Sequence, residues 1–204
     1  MPIDLVNPSA DYGASFLTFR EEFLASKDPF WGQYSKYAAF DEARLREDFY
    51  AYIVRPLLDT QKGIGLKEGY VPASSLWLAD TDKKEILGQF NVRHGLTPSL
   101  LKNGGHIGYF VRPSARRQGY AKLGLQKALD YCKNQLGISE ALVTCDARNE
   151  ASYRTILGVM KLVGGRGDTP TLLEDGFENT NPYHPENRNN LMLRFWLNTG
   201  KEKA

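Results

Sequence analysis

The chain has 204 residues, 42% of them hydrophobic and 25% charged, which is typical of a soluble globular protein with one domain and a substantial core. The formal net charge of +2, with scattered basic residues, argues against a nucleic-acid-binding protein, and no apolar run is long enough to predict a membrane span. Two cysteines and three dispersed histidines match no metal motif, and together with a first segment that lacks signal-peptide features they favour a reducing cytoplasm.

Aromatic residues recur every three to four positions near the N-terminus, which predicts an amphipathic first helix capped by Ser9 or Asp11. An aromatic-rich loop is expected over 27–37. Asp41 predicts the start of a second helix, with Pro56 near its end. The apolar stripe of the first helix comprises Tyr12, Phe16, Phe19 and Phe23, and that of the second Leu45, Phe49, Tyr52 and Ile53.

The middle of the chain is predicted to form strands. Segments 75–79 and 85–93 carry the alternation of paired strands, with a short polar turn between them. A long link over 95–105 leads into segment 107–111, in which apolar residues alternate with smaller or polar ones. We therefore expect 107–111 to be a half-buried central strand.

The last third alternates between helices and strands. Helix 117–136 has one apolar face and a glycine stop, and a short buried strand follows at 141–145. Asn149 predicts the cap of another helix. The polar segment 166–188 is expected to be a hairpin connection or loop, with its initial Arg-Gly-Asp tripeptide in a turn. The last strand is predicted at 191–197.

The turn after the central strand contains the strongest chemical signal. Arg112-Pro113 ends the strand, and Arg116–Ala121 then has the form Arg-x-x-Gly-x-Ala. Gly119 lets a ligand approach the backbone, and the first amides of the following helix are unpaired donors. With the charges of Arg116 and Arg117, this arrangement predicts an anion site suited to a pyrophosphate, although a solvated basic turn is the simpler alternative.

The order of strand, basic turn, helix, strand and helix resembles the GNAT superfamily of N-acetyltransferases, which hold acetyl-coenzyme A on an Arg/Gln-x-x-Gly-x-Gly/Ala loop. A poorly characterised bacterial branch of predicted acetyltransferases is more similar still. The supporting segments are Gly69-Tyr70-Val71-Pro72, Ser75-Leu76-Trp77-Leu78, Gly104-Gly105-His106-Ile107-Gly108-Tyr109, Val111-Arg112-Pro113-Ser114 and Val143-Thr144-Cys145-Asp146. The resemblance implies an α/β (α+β) fold: a central, bent, mostly antiparallel mixed sheet with helices on both faces. The resemblance covers residues 40–198. The whole chain, 1–204, is expected to form one domain.

The resemblance also implies a reaction. Acetyl-CoA would serve as co-substrate, and its acetyl group would pass to a primary amine by direct attack on the thioester. The acceptor is left open among small amines, amino acids, antibiotics and protein termini. A non-catalytic acyl-CoA-binding sensor or scaffold is the alternative. No metal, nucleic acid or membrane partner is expected, and a homodimer is left open because dimers are common in the family.

The resemblance implies a set of cofactor-binding residues. The central strand would pair with the pantetheine arm through its backbone, and an amide near 109–111 would face the thioester oxygen. Asn149 and Ser152 match the Asn-x-x-Ala/Ser pattern of the next family motif, although Asn149 has its cap role as an alternative. The full set is Val111, Arg116, Arg117, Gln118, Gly119, Tyr120, Ala121, Asn149 and Ser152.

The catalytic groups are less clearly marked. His106 is the first candidate for the general base, with His94 or a water chain as alternatives. Tyr109 lies on the strand next to the expected thioester. Ile156 stands where the family often has a tyrosine that protonates the leaving thiolate. Cys145 could form an acyl intermediate, but a structural thiol is the alternative that we favour.

Overall fold

The computed structural model describes residues 2–26, 40–172 and 191–200. The expected loop over 27–37 and the part of 166–188 beyond residue 172 lie outside the described residues. The strands are Ile3–Val6 (β1), Ala73–Asp80 (β2), Glu85–Arg93 (β3), Ile107–Val111 (β4), Glu140–Asp146 (β5), Gly165–Leu172 (β6) and Leu191–Asn198 (β7). The α-helices are Gly13–Ser26 (α1), Glu42–Glu47 (α2), Arg55–Gln61 (α3), Pro98–Lys102 (α4), Tyr120–Leu136 (α5) and Glu150–Val163 (α6).

The strands form one sheet in the order β1-β2-β3-β4-β5-β7-β6. Neighbouring strands run antiparallel except β4 and β5, which are parallel. A parallel pair needs a long crossover connection, and here α5 provides it. The predicted fold class, a mostly antiparallel mixed sheet with helices, is therefore confirmed.

One face of the sheet packs against α5 and α6. Side chains at alternate positions of β2 to β5 point to this face, as strand geometry requires. Phe90 on β3 is fully buried here, as is Ile156 on α6. The other buried residues of this layer include Leu76, Leu78, Val92, Ile107, Leu125, Ala128, Leu129, Ala141, Val143, Val159 and Leu197.

The opposite face of the sheet is covered by an aromatic layer from α1 to α3. The predicted stripe of α1 is buried as expected, and Trp77 on β2 lies among its rings. Phe16 lies 5.8 Å from Trp77 and 5.2 Å from Phe49, measured between ring centroids. Phe23 meets Phe110 of β4 edge to face at 5.1 Å. This second layer joins α1 directly to the strand that precedes the basic turn.

The second predicted helix is interrupted, and the expectation that Pro56 lies near its end is wrong. Asp41 caps α2 as predicted, with its carboxylate accepting from the amides of Ala43 and Arg44 at 2.8 and 3.3 Å. Asp48 then leaves the helical conformation, and a π-helical turn precedes α3. Pro56 is the second residue of α3, which follows the π-helical turn directly.

Other boundaries also differ from the predictions. Helix α5 begins at Tyr120 rather than at 117, because Arg117 and Gly119 both have positive φ angles that helical residues do not adopt. The Arg-Gly-Asp tripeptide lies in β6 and not in a turn. Its arginine pairs with Glu140, and its aspartate accepts a hydrogen bond from the indole of Trp196 at 3.1 Å. Strand β1 and the short helix α4 were not predicted.

The packing of α5 against β3 gives a stability prediction. A Cβ on Gly124 would lie 2.1 Å from the ring of Phe90, which is fully buried. We expect Gly124→Ala to destabilise the protein, because overpacking costs about 1–3 kcal/mol and outweighs a helix-propensity gain of up to about 1 kcal/mol. Urea denaturation measures the change.

Gly158 in α6 provides the matched control. A Cβ there would meet no atom within 4 Å. Gly158→Ala should therefore stabilise the protein by about 0.5–1 kcal/mol through helix propensity alone. Equal effects of the two substitutions would show that Phe90 does not pack on α5 as described.

Candidate functional site

Strands β4 and β5 diverge almost as soon as they meet. Within the described residues they share one paired position, Ile107 with Val143, whereas β4 pairs with β3 at five. In the β3–β4 ladder, the Arg93 amide donates to His106 O at 2.8 Å and the Arg112 amide donates to Leu87 O at 2.9 Å. Antiparallel pairing alternates, so the backbone groups of Tyr109 and Val111 point away from β3, into the gap between β4 and β5.

The closed end of this gap is held by His106. Its amide donates to the carbonyl of Leu142 at 2.7 Å, and its Nδ1 accepts from the Leu142 amide at 3.0 Å. Gly105 allows this close approach, since a Cβ there would lie 2.4 Å from the same carbonyl. One histidine thus satisfies both backbone groups of a β5 residue and ties the two strands together where they meet.

At the open end of β4, the basic turn leads into the N-terminus of α5. Gly119 is the N-cap residue, with φ +83°, and α5 has no side-chain cap. A Cβ on Gly119 would meet nothing within 4 Å, so the space in front of the helix is open. Arg117, at φ +61°, is also in the left-handed region that non-glycine residues rarely adopt. Unpaired amides at a helix N-terminus are the donors that anions commonly bind, so the geometry is compatible with the predicted anion site.

The side chains of this turn are held in different ways. Arg116 does not extend from the turn as a simple positive charge: its Nε donates to Val111 O at 3.2 Å, and its guanidinium lies 5.7 Å from the centre of the Phe23 ring. Gln118 donates to Ser114 O at 3.1 Å. Arg117 is exposed. Tyr120 and Ala121, which are partly buried, pack against the core.

The gap also has polar side chains on the side of α6. The hydroxyl of Tyr109 lies 3.2 Å from the hydroxyl of Ser152, and the Tyr109 ring stacks on Phe90 with centroids 5.4 Å apart. Asn149 caps α6, as predicted, by accepting from the Ser152 amide at 3.1 Å. Burial raises the pKa of the Cys145 thiol to about 11, although a hydrogen bond with the Ser152 side chain opposes the shift.

Tyr109 was predicted to lie next to the thioester and Ser152 to bind the cofactor, and the structure places their hydroxyls in contact. The two residues are 43 positions apart and lie on a strand and a helix. No local pattern relates them, so their contact could not be predicted. Ile156, in the usual place of the family tyrosine, is fully buried in the core. Tyr153 is 37% exposed and packs beside Phe195, away from the Tyr109–Ser152 pair.

The two candidate histidines lie in different surroundings. His94 is hydrogen-bonded through Nε2 to Ser74 at 2.8 Å, within a network that includes Tyr131 of α5. Burial, and to a lesser extent the charge of Arg93, lowers the pKa of His106 to about 4. At neutral pH the imidazole of His106 is therefore uncharged, with Nδ1 engaged by Leu142. This geometry favours a role in holding the strands.

The family follows from comparison with known proteins. A model of the acetyltransferase (GNAT) domain matches residues 24–158. The chain belongs to the GNAT acetyltransferase family. In this GNAT protein the matched region includes β4, the basic turn, α5 and β5, which together form the candidate site. Comparison with curated protein sequences gives no match.

Solved structures with the same fold are distant in sequence. The microcin C7 self-immunity acetyltransferase MccE, solved with acetyl-CoA and AMP, is 14% identical, with a TM-score of 0.60 over 96% of this chain and 92% of that chain. RimL, a ribosomal-protein α-N-acetyltransferase, is 15% identical, with a TM-score of 0.57 over 96% and 92%; its structure contains coenzyme A in a disulfide with one of its cysteines.

A third relative is the spermidine N-acetyltransferase SpeG from Vibrio cholerae. A chimeric form is 11% identical, with a TM-score of 0.56 over 98% of this chain and 96% of that chain. A mutant form aligns over 62% of this chain and 66% of that chain, with a TM-score of 0.44. At these identities the three matches with TM-scores of 0.56 to 0.60 show the fold alone.

Membrane-spanning helices and metal-binding clusters are both absent from the residues that the structure describes. Over residues 2–26, 40–172 and 191–200, no helix is both long and apolar enough to cross a membrane. The same part of the chain contains no cluster of three or more potential metal ligands.

The buried His106 predicts a pH dependence of stability. Its pKa is lowered from 6.5 in the unfolded chain to about 4 in the folded one, so the unfolded state binds more protons between these values. The free energy of unfolding should therefore fall as the pH falls, by about 2 kcal/mol between pH 7 and pH 5 from this group. His106→Asn keeps an acceptor for the Leu142 amide but does not titrate.

Urea denaturation at both pH values tests this expectation. The stability difference between wild type and His106→Asn should shrink by about 2 kcal/mol from pH 7 to pH 5. His106→Leu, which removes the acceptor, should be less stable than His106→Asn at both pH values by about 1–3 kcal/mol. A pH-independent difference between wild type and His106→Asn would contradict the buried, neutral state of His106.

Proposed function

We propose that this GNAT protein is an acetyl-CoA-dependent N-acetyltransferase that acetylates a primary amine. The observation that carries the proposal is the uncapped N-terminus of α5, with Gly119 exposed in front of it, directly after a strand that diverges from its neighbour. The structures of MccE and RimL contain acetyl-CoA or coenzyme A, which supports this choice of co-substrate.

The residues present fit a coenzyme A pyrophosphate. A phosphate needs amide donors that no side chain has already capped, and α5 offers them, whereas α6 is capped by Asn149. The backbone from Gly119 to Ala121 would donate to the phosphate oxygens, and the exposed Arg117 would add charge. The structural bonds of Arg116 and Gln118 favour a role in shaping the turn.

The gap between β4 and β5 fits the rest of the molecule. When bound, acetyl-CoA would supply the acetyl group that passes to the amine, and coenzyme A would leave as the thiol. The backbone groups of Tyr109 and the amide of Val111 point into the gap, where they would align the pantetheine arm and polarise the thioester carbonyl. The sequence expectation for these residues stays a prediction, and the orientation of the strand supports it.

Tyr109 and Ser152 provide a proton source on the wall of the gap. We propose that the Tyr109 hydroxyl donates to the leaving thiolate, with Ser152 orienting it from 3.2 Å. The N-terminus of α6, where Ser152 lies, also favours a developing negative charge. This arrangement would replace the family tyrosine whose place is taken by Ile156. The raised pKa of Cys145 argues against its use as a nucleophile.

The amine must lose a proton before or during attack. His106 is the first candidate base by sequence, but its pKa of about 4 makes it a weak proton acceptor at neutral pH. We therefore propose that water carries this proton away. We also propose a cytoplasmic location, since both cysteines are buried free thiols.

An amine acceptor is supported by the names of two fold relatives, a spermidine N-acetyltransferase and a ribosomal-protein α-N-acetyltransferase. The non-catalytic sensor remains the second candidate because Ile156 takes the usual place of the acid. Release of coenzyme A thiol with a panel of amines would establish the enzyme. Tight acetyl-CoA binding with no turnover on any amine would favour the sensor.

The phosphate site is tested by two variants of nearly equal shape. Gly119→Asp and Gly119→Asn both fit the open space, and both side chains tolerate a positive φ. Both side chains can cap α5 and compete for its first amides, but only the aspartate adds a negative charge. The aspartate should therefore abolish acetyl-CoA binding by repelling the pyrophosphate, whereas the asparagine should weaken it less. At about a hundredfold excess over Kd, ligand should stabilise a binding protein by roughly 2.7 kcal/mol, raising Tm by about 5–10 °C.

Thermal unfolding with and without acetyl-CoA measures both outcomes. A shift in the wild type and in Gly119→Asn, but not in Gly119→Asp, supports the site. Equal shifts in all three proteins would exclude pyrophosphate binding at Gly119.

The proposed proton donor is tested by Tyr109→Phe. This change keeps the ring that stacks on Phe90 and removes only the hydroxyl. We expect kcat to fall by about 10²-fold, with little change in the Kd for acetyl-CoA. Tyr153→Phe, on the same side of the sheet, is the control and should leave kcat unaltered. An unchanged kcat in Tyr109→Phe would assign the proton to another group.

A further inference from the structure

An ion pair whose arginine is buried connects α1 to residues 112–114, the turn directly before the basic turn at 116–119, which we call the phosphate loop. The side chain of Arg112 is 5% exposed. Its Nε and Nη2 both donate to Glu22 Oε1, at 3.0 and 2.6 Å. Its Nη1 donates to the carbonyl of Ile86 at 3.0 Å and to the carboxylate of Glu85 at 3.3 Å. A buried guanidinium with this many acceptors is held in one position.

Glu22 binds a second residue of the same turn. Its Oε2 accepts from the amide of Ser114 at 3.0 Å, and its Oε1 accepts from the Ser114 hydroxyl at 2.9 Å. Burial alone would raise the pKa of Glu22, but the hydrogen bonds from Arg112 and Ser114 outweigh it, and the pKa lies below its usual value. The Glu22 carboxylate therefore bonds to the residue before Pro113, Arg112, and to the residue after it, Ser114.

The same turn is bonded to the exposed phosphate loop. Ser114 accepts from Gln118, and Val111 accepts from Arg116, whose guanidinium also packs on Phe23 of α1. Arg116 therefore contacts β4 and α1, and Gln118 contacts the turn at Ser114. The loop itself has no side-chain cap at α5 to order it. The bonds of Arg116 and Gln118 therefore link the loop to the segment that Glu22 holds.

We infer that Glu22, through Arg112 and Ser114, is a positioning residue that holds the phosphate loop in the conformation that binds the coenzyme A pyrophosphate. This inference rests on the proposed function. Amide donors bind an anion well only if they are already aimed at it, because ordering a loop on binding costs affinity. Releasing the turn from Glu22 should therefore weaken binding of the pyrophosphate specifically.

Glu22→Gln tests the inference, with Glu21→Gln as the control. Both change the charge equally, but Glu21 is exposed on the neighbouring position of α1. If releasing the turn leaves one or two residues to be ordered on binding, Glu22→Gln should raise the Kd for coenzyme A about tenfold to a hundredfold. Glu21→Gln should bind like the wild type. Titration calorimetry with the full chain measures Kd.

A truncated substrate separates positioning from general damage. S-acetylpantetheine has the reacting thioester but no pyrophosphate. In Glu22→Gln, KM should rise for acetyl-CoA and stay unchanged for S-acetylpantetheine, with kcat for acetyl-CoA near that of the wild type. Ser114→Ala removes one bond to Glu22 at an exposed position and should raise the same KM severalfold. It provides the test if Glu22→Gln does not fold.

The outcomes distinguish this inference from the proposed function. If the wild type binds no coenzyme A, both are overturned. If the wild type binds it and both Glu22→Gln and Ser114→Ala bind equally well, only the positioning role is overturned. A KM that rises equally for acetyl-CoA and S-acetylpantetheine would show a general structural role and would also overturn it.

Discussion

The divergence of β4 from β5 is the constraint on which the rest of the site depends. Backbone groups in a protein interior need partners, and a strand normally finds them on both sides. Among the described residues, strand β4 pairs with β3 along its length but with β5 at a single position, Ile107. The remaining edge faces a gap inside the sheet. His106 sets where the gap begins, because its amide and ring together occupy both backbone groups of Leu142.

Two helix N-termini flank this gap, and they differ in whether a side chain caps them. Helix α6 has a side-chain cap from Asn149, which stabilises the helix and places Ser152 beside Tyr109. Helix α5 has no such cap and begins at a glycine in the left-handed conformation. Giving up a cap costs a protein about 1 kcal/mol, but it leaves amide donors available to a ligand. The difference between the two helices is what we expect if one stabilises the fold and the other binds an anion.

The two packing layers are linked at the same place. The aromatic layer of α1 contacts β4 through Phe23 and Phe110, while the layer of α5 packs on the opposite face of the sheet. Arg112, at the end of β4, bonds to both α1 and β3 from a buried position. A buried ion pair is seldom more stabilising than apolar residues of similar volume. Its value here is geometric, since it fixes the turn between the two layers.

The sequence by itself determined the local elements of this protein. The caps at Ser9, Asp41 and Asn149, and the glycine stop of α5, were predictable because each depends on hydrogen bonds or backbone angles within a few residues. The strand, turn and helix around Gly119 were predictable for the same reason, as was the family they resemble.

Only the tertiary structure decided how these elements meet. The pairs His106–Leu142 and Tyr109–Ser152 join residues 36 and 43 positions apart. Strand β6 was missed because its polar sequence acquires strand geometry from pairing with β7. Periodicity and capping specify single elements, whereas the partners of a side chain depend on which strands and helices pack together. The contacts that line the gap, such as Tyr109 with Ser152, are of this kind and depend on the tertiary structure.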